Sequence, residues 1–141
     1  MKPSKQDRKK YDFRKDLAFG EKGEEFVHDL VSNKGGAFEV KLDRRAIETG
    51  NIALELAYRN KPSGINATEA HWLTYLIAKD GEIVGGYTFN VELLKKNIKK
   101  HKFSTVYGGD SNASLLLLVP IKDIWKLLMP EKEEKPKDDL I

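Results

Sequence analysis

Two short stretches constrain this chain more than any other: FEVKLD over residues 38–43 and NIALELAY over residues 51–58, both alternating large apolar side chains with polar or small ones. A period of two places alternate side chains on opposite faces of a strand, so each stretch is expected to lie in a sheet with one apolar face. In the first, Phe38, Val40 and Leu42 form the apolar set; in the second, Ile52, Leu54, Leu56 and Tyr58 do so. Glu55 stands among the small residues Ala53 and Ala57 on the other face. That face either meets solvent, with Glu55 paired to Lys41, or builds a site.

The remaining pattern surrounds these strands with helices. Leu17, Phe26, Val27, Leu30 and Val31 recur at helical spacing over residues 16–33, and KGG at 34–36 supplies a stop. After the turn-rich RNKPSGINATEA, the stretch HWLTYLIAKDGEIVGGYTF reads as two strands joined at Asp80-Gly81. Asn90 caps a helix striped by Val91, Leu94 and Ile98, a Gly/Ser/Asn loop follows, SLLLLV reads as a strand covered on both sides, and IKDIWKLLM as a short helix. The expected class is α/β, with a mixed β-sheet flanked by helices in the order α-β-β-(α)-β-β-α-β-α.

At 141 residues the chain suits one domain with a true core. Residues 16–129 are expected to form it, between a basic flexible arm over 1–15 and a charged flexible tail over 130–141. There is no cysteine, which removes disulfides, thiolate metal sites and a cysteine nucleophile. The longest apolar run, LLLLVPI, falls well short of the roughly 20 residues that span a bilayer, so no membrane partner is expected and the cytoplasm is the expected location. The net charge of +3 is unevenly spread: residues 1–15 hold seven Lys and Arg against two Asp, and KKNIKKHK holds five lysines. Such patches either attract polyanions or form a solvated face.

A three-residue hairpin loop at ETG, with Gly50 left-handed, would place Asp43 opposite Glu55 and Lys41 opposite Ala57. Facing carboxylates repel unless they share a cation, and Mg²⁺ is commonly held by one or two carboxylates with water completing its shell. Trp72 and Trp125 lie in apolar stretches and read as core aromatics. His28, His71 and His101 have no metal-site spacing.

Asp43, the Thr49-Gly50-Asn51 triplet, Glu55, KPSGI at 61–65 and Thr68-x-Ala70-x-Trp72, with GEKGEEFVHDL upstream, together resemble the PD-(D/E)XK nuclease superfamily, in particular small phage-type members akin to Holliday-junction resolvases. The likeness runs over residues 17–90 and implies a restriction-endonuclease-like core. It implies a Mg²⁺- or Mn²⁺-dependent deoxyribonuclease of little sequence specificity, with RNA open beside DNA, a homodimer if two strands are cut, and a host-cell setting if the chain is phage-encoded. By this resemblance Asp43, Glu55, Glu24 and Leu56 hold the metal, with Glu21 and Glu25 as rivals for Glu24. The superfamily's lysine two residues after the second acid is here Ala57. Lys41 is the first choice to replace it and Lys61 the second. Ser63, Gly64 and Thr68 on the loop, and Lys95, Lys96 and Lys99 on the basic helix, are the expected substrate contacts. The alternatives are a catalytically impaired nuclease fold that binds nucleic acid, and a protein-interaction module.

Overall fold

The computed structural model describes residues 13–32 and 37–130. The chain divides into two compact units at residues 37 and 38, and each is described by itself. The first contains α1 (Phe13–Ser32), in which Leu17, Val27 and Val31 are exposed and Phe26 and Leu30 half-buried. The expected KGG stop, the arm up to residue 12 and the tail from residue 131 lie outside the described residues. Arg14 and Lys15, expected in the arm, belong to α1.

The second unit is α/β and contains two sheets. β1 (Phe38–Asp43) runs parallel to β4 (Trp72–Lys79), which pairs antiparallel with β5 (Glu82–Asn90). A second, antiparallel sheet has the order β3-β2-β7-β6, built from β2 (Asn51–Tyr58), β3 (Lys61–Pro62), β6 (Ser104–Gly108) and β7 (Ser114–Pro120). The expected single mixed sheet is therefore two. The strand β6 falls where a loop was expected; its side chains are mostly exposed, so no buried face marks it in the sequence.

The largest departure is the connection from β1 to β2. Instead of a hairpin, residues Ala46–Thr49 make one helical turn, α2, and the chain enters the other sheet. Gly50 is left-handed as expected, at φ 73°, but as the cap of that turn, its N–H donating to the Ala46 carbonyl at 2.8 Å. Asp43 is paired with Ile77 and Lys41 with Tyr75 in the parallel ladder, while Glu55 lies opposite Leu116 and Ala57 opposite Leu115. The proposed facing pairs Asp43–Glu55 and Lys41–Ala57 do not form.

One core joins both sheets. Ile52 and Leu54 of β2, Leu73, Tyr75 and Ile77 of β4, and Leu117 and Val119 of β7 are buried with Phe89, Leu94 and Leu127. Burying each large aliphatic side chain contributes about 1.5–3 kcal/mol. In β2 the alternation holds for the buried Ile52 and Leu54, while Leu56 is half-buried and Tyr58 exposed; in β1 Val40 and Leu42 are exposed and the half-buried positions are Phe38, Lys41 and Asp43. Beyond Phe38, the expected apolar core face of β1 is thus its outer face. In β7 one face is buried and the other half-buried, so the strand is not fully covered on both sides.

Asp80 and Gly81 turn β4 into β5 with φ 51° and 81°, as the Asp-Gly pair demands. Asn90 accepts the Leu93 N–H at 3.0 Å and caps α3 (Val91–Lys100). The last helix, α4 (Trp125–Leu128), is tied to α3 by Asn97, whose buried amide donates to the carbonyls of Leu127 and Met129. Trp125 is 54% exposed under the Lys126 ammonium rather than a core aromatic. Among the described residues, no helix is long and apolar enough to cross a membrane.

Candidate active site

Where β1 and β2 come side by side, side chains replace the hydrogen bonds that a ladder would make. The Lys41 ammonium donates to the Ala53 carbonyl at 2.7 Å, and the Ala53 N–H donates to the Tyr75 hydroxyl at 3.0 Å. That hydroxyl in turn donates a short hydrogen bond to Asp43 Oδ2. The other Asp43 oxygen, Oδ1, accepts the N–H groups of Arg45 at 2.7 Å and Ala46 at 3.1 Å, which starts α2. Asp43 thus joins β1, α2 and β4 at one corner. It is a structural residue as well as a candidate ligand.

Glu55 is positioned by different means. Between Glu55 and Ala57 the β2–β7 register slips, leaving Leu56 as a bulge residue. Such bulges re-aim neighbouring side chains. Glu55 Oε1 accepts from Ser114 at 2.7 Å and Oε2 from Ser63 at 3.0 Å, so hydroxyls from the start of β7 and from the segment after β3 hold it. Gly64, at φ 52°, lies so close beneath that a Cβ there would sit 2.3 Å from the Glu55 carbonyl oxygen. KPSGI is therefore a clamp on Glu55 before it is anything else.

Lys41 stands between the two acids. It lines both a cleft of about 790 Å³ shared with Asp43 and a smaller one of about 280 Å³ shared with Glu55. Burial pushes its ammonium below the ordinary lysine value of 10.5, and the charges of Asp43, Glu55 and Glu39 oppose that shift. Burial also pushes the Tyr75 phenol up; the Ala53 N–H pulls it down, and donation to Asp43 adds to the rise. The hydroxyl therefore stays a donor.

Lys41 thus neighbours both acids, Asp43 in the larger cleft and Glu55 in the smaller one, and is anchored at Ala53 rather than over Ala57. Lys61, its rival, is exposed opposite Tyr58. Glu24 is exposed on α1, with Glu21 and Glu25 beside it, in the first unit. Leu56 could ligate only through its carbonyl, and that oxygen already accepts from Ser63 N–H and the Asn66 amide, each at 3.1 Å; both lone pairs are in use, so it is not a metal ligand here. Thr68 accepts the Ala70 N–H and, with Lys95, lines a separate groove of about 520 Å³. Lys96 pairs with Glu92 at 3.5 Å, and Lys99 is exposed. Sequence reasoning missed Tyr75 and Ser114. A phenol within the apolar stretch WLTYLIAK is a signal for the first; nothing marks the second.

Among the described residues, no three Asp, Glu or His side chains form a metal-holding group. Two carboxylates remain, and their hydrogen bonds leave one lone-pair site on Asp43 Oδ2 and one on each Glu55 oxygen. This donor chemistry fits Mg²⁺ or Mn²⁺, hard ions that take one or two carboxylates and leave other positions to water and phosphate. No protein-family model, no curated protein and no solved structure matches the chain.

Proposed function

We propose that the protein hydrolyses nucleic-acid phosphodiester bonds, as a Mg²⁺- or Mn²⁺-dependent deoxyribonuclease with little sequence selectivity. The observation that carries this reading is the half-buried Lys41 ammonium, held by the Ala53 carbonyl at 2.7 Å and lining both the cleft that contains Asp43 and the one that contains Glu55. A lysine poised nearer neutrality than usual is suited to accept a proton from water, and carboxylates in a cleft suit metal-assisted phosphoryl chemistry.

Asp43 and Glu55 would hold the ion, which when bound supplies an acidified water and charge neutralisation at the phosphate. The rest of the chemistry belongs to the chain. Lys41 Nζ, fixed by the Ala53 carbonyl, orients a water and takes its proton when neutral. Tyr75 holds Asp43 in one orientation, and Ser63 and Ser114 do the same for Glu55. The exposed lysines of α3 hold the DNA backbone without reading bases.

The test uses labelled single-stranded, duplex and branched DNA, with an RNA arm, in Mg²⁺, Mn²⁺ or chelator. Cleavage is expected only with metal. Glu55→Gln and Lys41→Met should each lower turnover about 100-fold or more while leaving DNA binding in place. Wild-type protein inert on every substrate in both metals sinks the proposal. A second reading, a nucleic-acid-binding protein on a catalytically impaired nuclease scaffold, is favoured by Ala57, which stands where the resemblance asks for a lysine. Binding without cleavage in the same panel would select it.

A further inference from the structure

Among the described residues the two sheets end on the strands β1, β5, β3 and β6, and the first three of these edges are blunted. β3 is only Lys61-Pro62, β5 carries Glu82, the Gly85-Gly86 pair and a slip in its register with β4, and β1 is closed against β2 by the Lys41–Ala53 hydrogen bond. Shortness, proline, charge and bulges are the means by which an edge escapes further pairing. β6 has none of them. Its Ser-Thr-Val-Tyr-Gly run over 104–108 is uncharged and pairs with β7 in unbroken register. Ser104, Thr105, Val106 and Tyr107 are exposed, the last two at 41% and 63%. Among the described residues the backbone of this strand bonds to β7 alone, which leaves its outer row of N–H and C=O groups open.

The strand is also complementary to itself. Antiparallel pairing of two copies about a two-fold axis at Val106 sets Val106 against Val106, Thr105 against Tyr107 and Ser104 against Gly108, engaging the whole strand. Aromatic and β-branched side chains facing each other across strands stabilise the pair. Lys102 and Asp110 are both exposed and stand equally far from Val106 on its two sides, so the two-fold brings opposite charges together at each end. Exposed charges add little affinity, but a parallel pairing would set Lys102 beside Lys102, so they select the antiparallel direction.

From this open, self-complementary edge we infer that β6 joins two copies of the chain into a homodimer whose second sheets form one continuous sheet. Antiparallel pairing keeps Val106 of both copies on one face, the face on which Val106, Leu116, Leu118 and Ala53 line the larger cleft. The floor of each cleft then continues onto the second copy's Val106, and both clefts open on the same side. Glu55, Leu116 and Val106 stand in line across the strands. The two Glu55 positions are therefore separated by the strand spacings from β2 through both β6 strands to the second β2, about 24 Å in all.

Sedimentation equilibrium of the full chain tests the pairing. One strand pair is a small interface, so association in the micromolar range is expected and the run is made at about 100 μM. Wild-type protein should sediment as a dimer. Val106→Lys and Val106→Asp each set like charges face to face and should weaken the dimer about tenfold or more, while an equimolar mixture of the two restores it. The chain has no cysteine, so Val106→Cys gives an independent readout with a small side chain in place. Cα atoms directly opposite lie about 4.5–5.5 Å apart, within disulfide reach, and mild oxidation should link the copies. Thr105→Cys should not link, its two positions being roughly 8 Å apart. A wild-type monomer overturns the inference and leaves the edge to a strand of another protein. A dimer that survives both charged variants, a mixture that stays monomeric, or equal cross-linking at 105 and 106 overturns it too, in favour of an interface elsewhere. Dimer formation does not depend on hydrolysis: a dimer that cuts nothing refutes only the hydrolase reading, and a monomer that cuts refutes only the β6 pairing.

Discussion

Asp43 and Glu55 are both carboxylates beside Lys41, yet the regions that hold them differ in kind. Asp43 sits at a corner where its oxygens accept two backbone N–H groups and a buried phenol. Glu55 stands beside a bulge, and among the described residues its carboxylate accepts from two serine hydroxyls. The first carboxylate is part of how the chain turns from one sheet to the other. The second is held in place but does not hold the fold. A loss of activity on removing Asp43 therefore mixes folding with chemistry, whereas a loss on removing Glu55 reads chemistry more purely.

The comparison breaks most readily beneath Glu55, where backbone rather than side chain is at stake. Gly64→Ala places a Cβ 2.3 Å from the Glu55 carbonyl oxygen and 2.8 Å from its Cβ, at a φ of 52° that a side chain seldom adopts. Left-handed strain and overpacking together are expected to cost about 4 kcal/mol. Urea denaturation checks this, and an unchanged midpoint would mean that the clamp is loose. The carboxylates themselves come next. Asp43→Ala leaves the Ala46 N–H and the Tyr75 hydroxyl without their acceptor and should cost about 3 kcal/mol, against about 1 kcal/mol for Glu55→Ala. Equal losses in the two denaturation curves would erase the distinction.

Why the sequence revealed these residues but not their pairing is visible in the same corner. Period-two alternation identified β1, β2, β4 and β5, since it depends only on local geometry, and the Asp-Gly turn and the Asn90 cap are equally local. Which strands pair is not local. The Ala46–Thr49 turn needs just four residues and an Asp43 oxygen to start it, and a Thr-Gly end serves a helical turn as well as a hairpin. The consequence is that Lys41 and Asp43, read as the polar outer face of a hairpin, face the seam between two sheets, while Val40 and Leu42 face outward. Tyr75 decides this arrangement. Its ring occupies the core from the parallel neighbour β4, and its hydroxyl reaches both Asp43 and Ala53. Ser114 lies over fifty residues from Glu55, and no period links such distant positions.

Tyr75→Phe sharpens the comparison from the other partner. It keeps the ring in the core but strips the acceptor from the Ala53 N–H and the donor from Asp43, so about 1–2 kcal/mol is expected. About half of the cost should vanish in an Asp43→Ala background, because the two changes share the phenol–carboxylate hydrogen bond while the Ala53 N–H loses its acceptor in either background. Thermal unfolding of the double-mutant cycle measures that coupling. Strict additivity would show that the phenol and the carboxylate do not depend on each other.

The smallest expected effect separates Lys41 from both acids. Because burial lowers its pKa, the folded protein gives up the Lys41 proton at a lower pH than the unfolded chain, for which 10.5 is the ordinary value. Between those two values the unfolded state binds more protons, so stability rises with pH across that window and is least where Lys41 is fully charged. Tyr75 acts with the opposite sign: its raised folded-state pKa makes stability fall once the unfolded phenol ionises, near its ordinary value of 10.0. The Lys41 contribution is therefore read on the alkaline approach to that point. There the wild type should gain on Lys41→Met as pH rises, in urea titrations at matched ionic strength. If the difference between the two proteins stays flat, the ammonium is as well solvated folded as unfolded, and the case for Lys41 as a proton acceptor at neutral pH weakens with it.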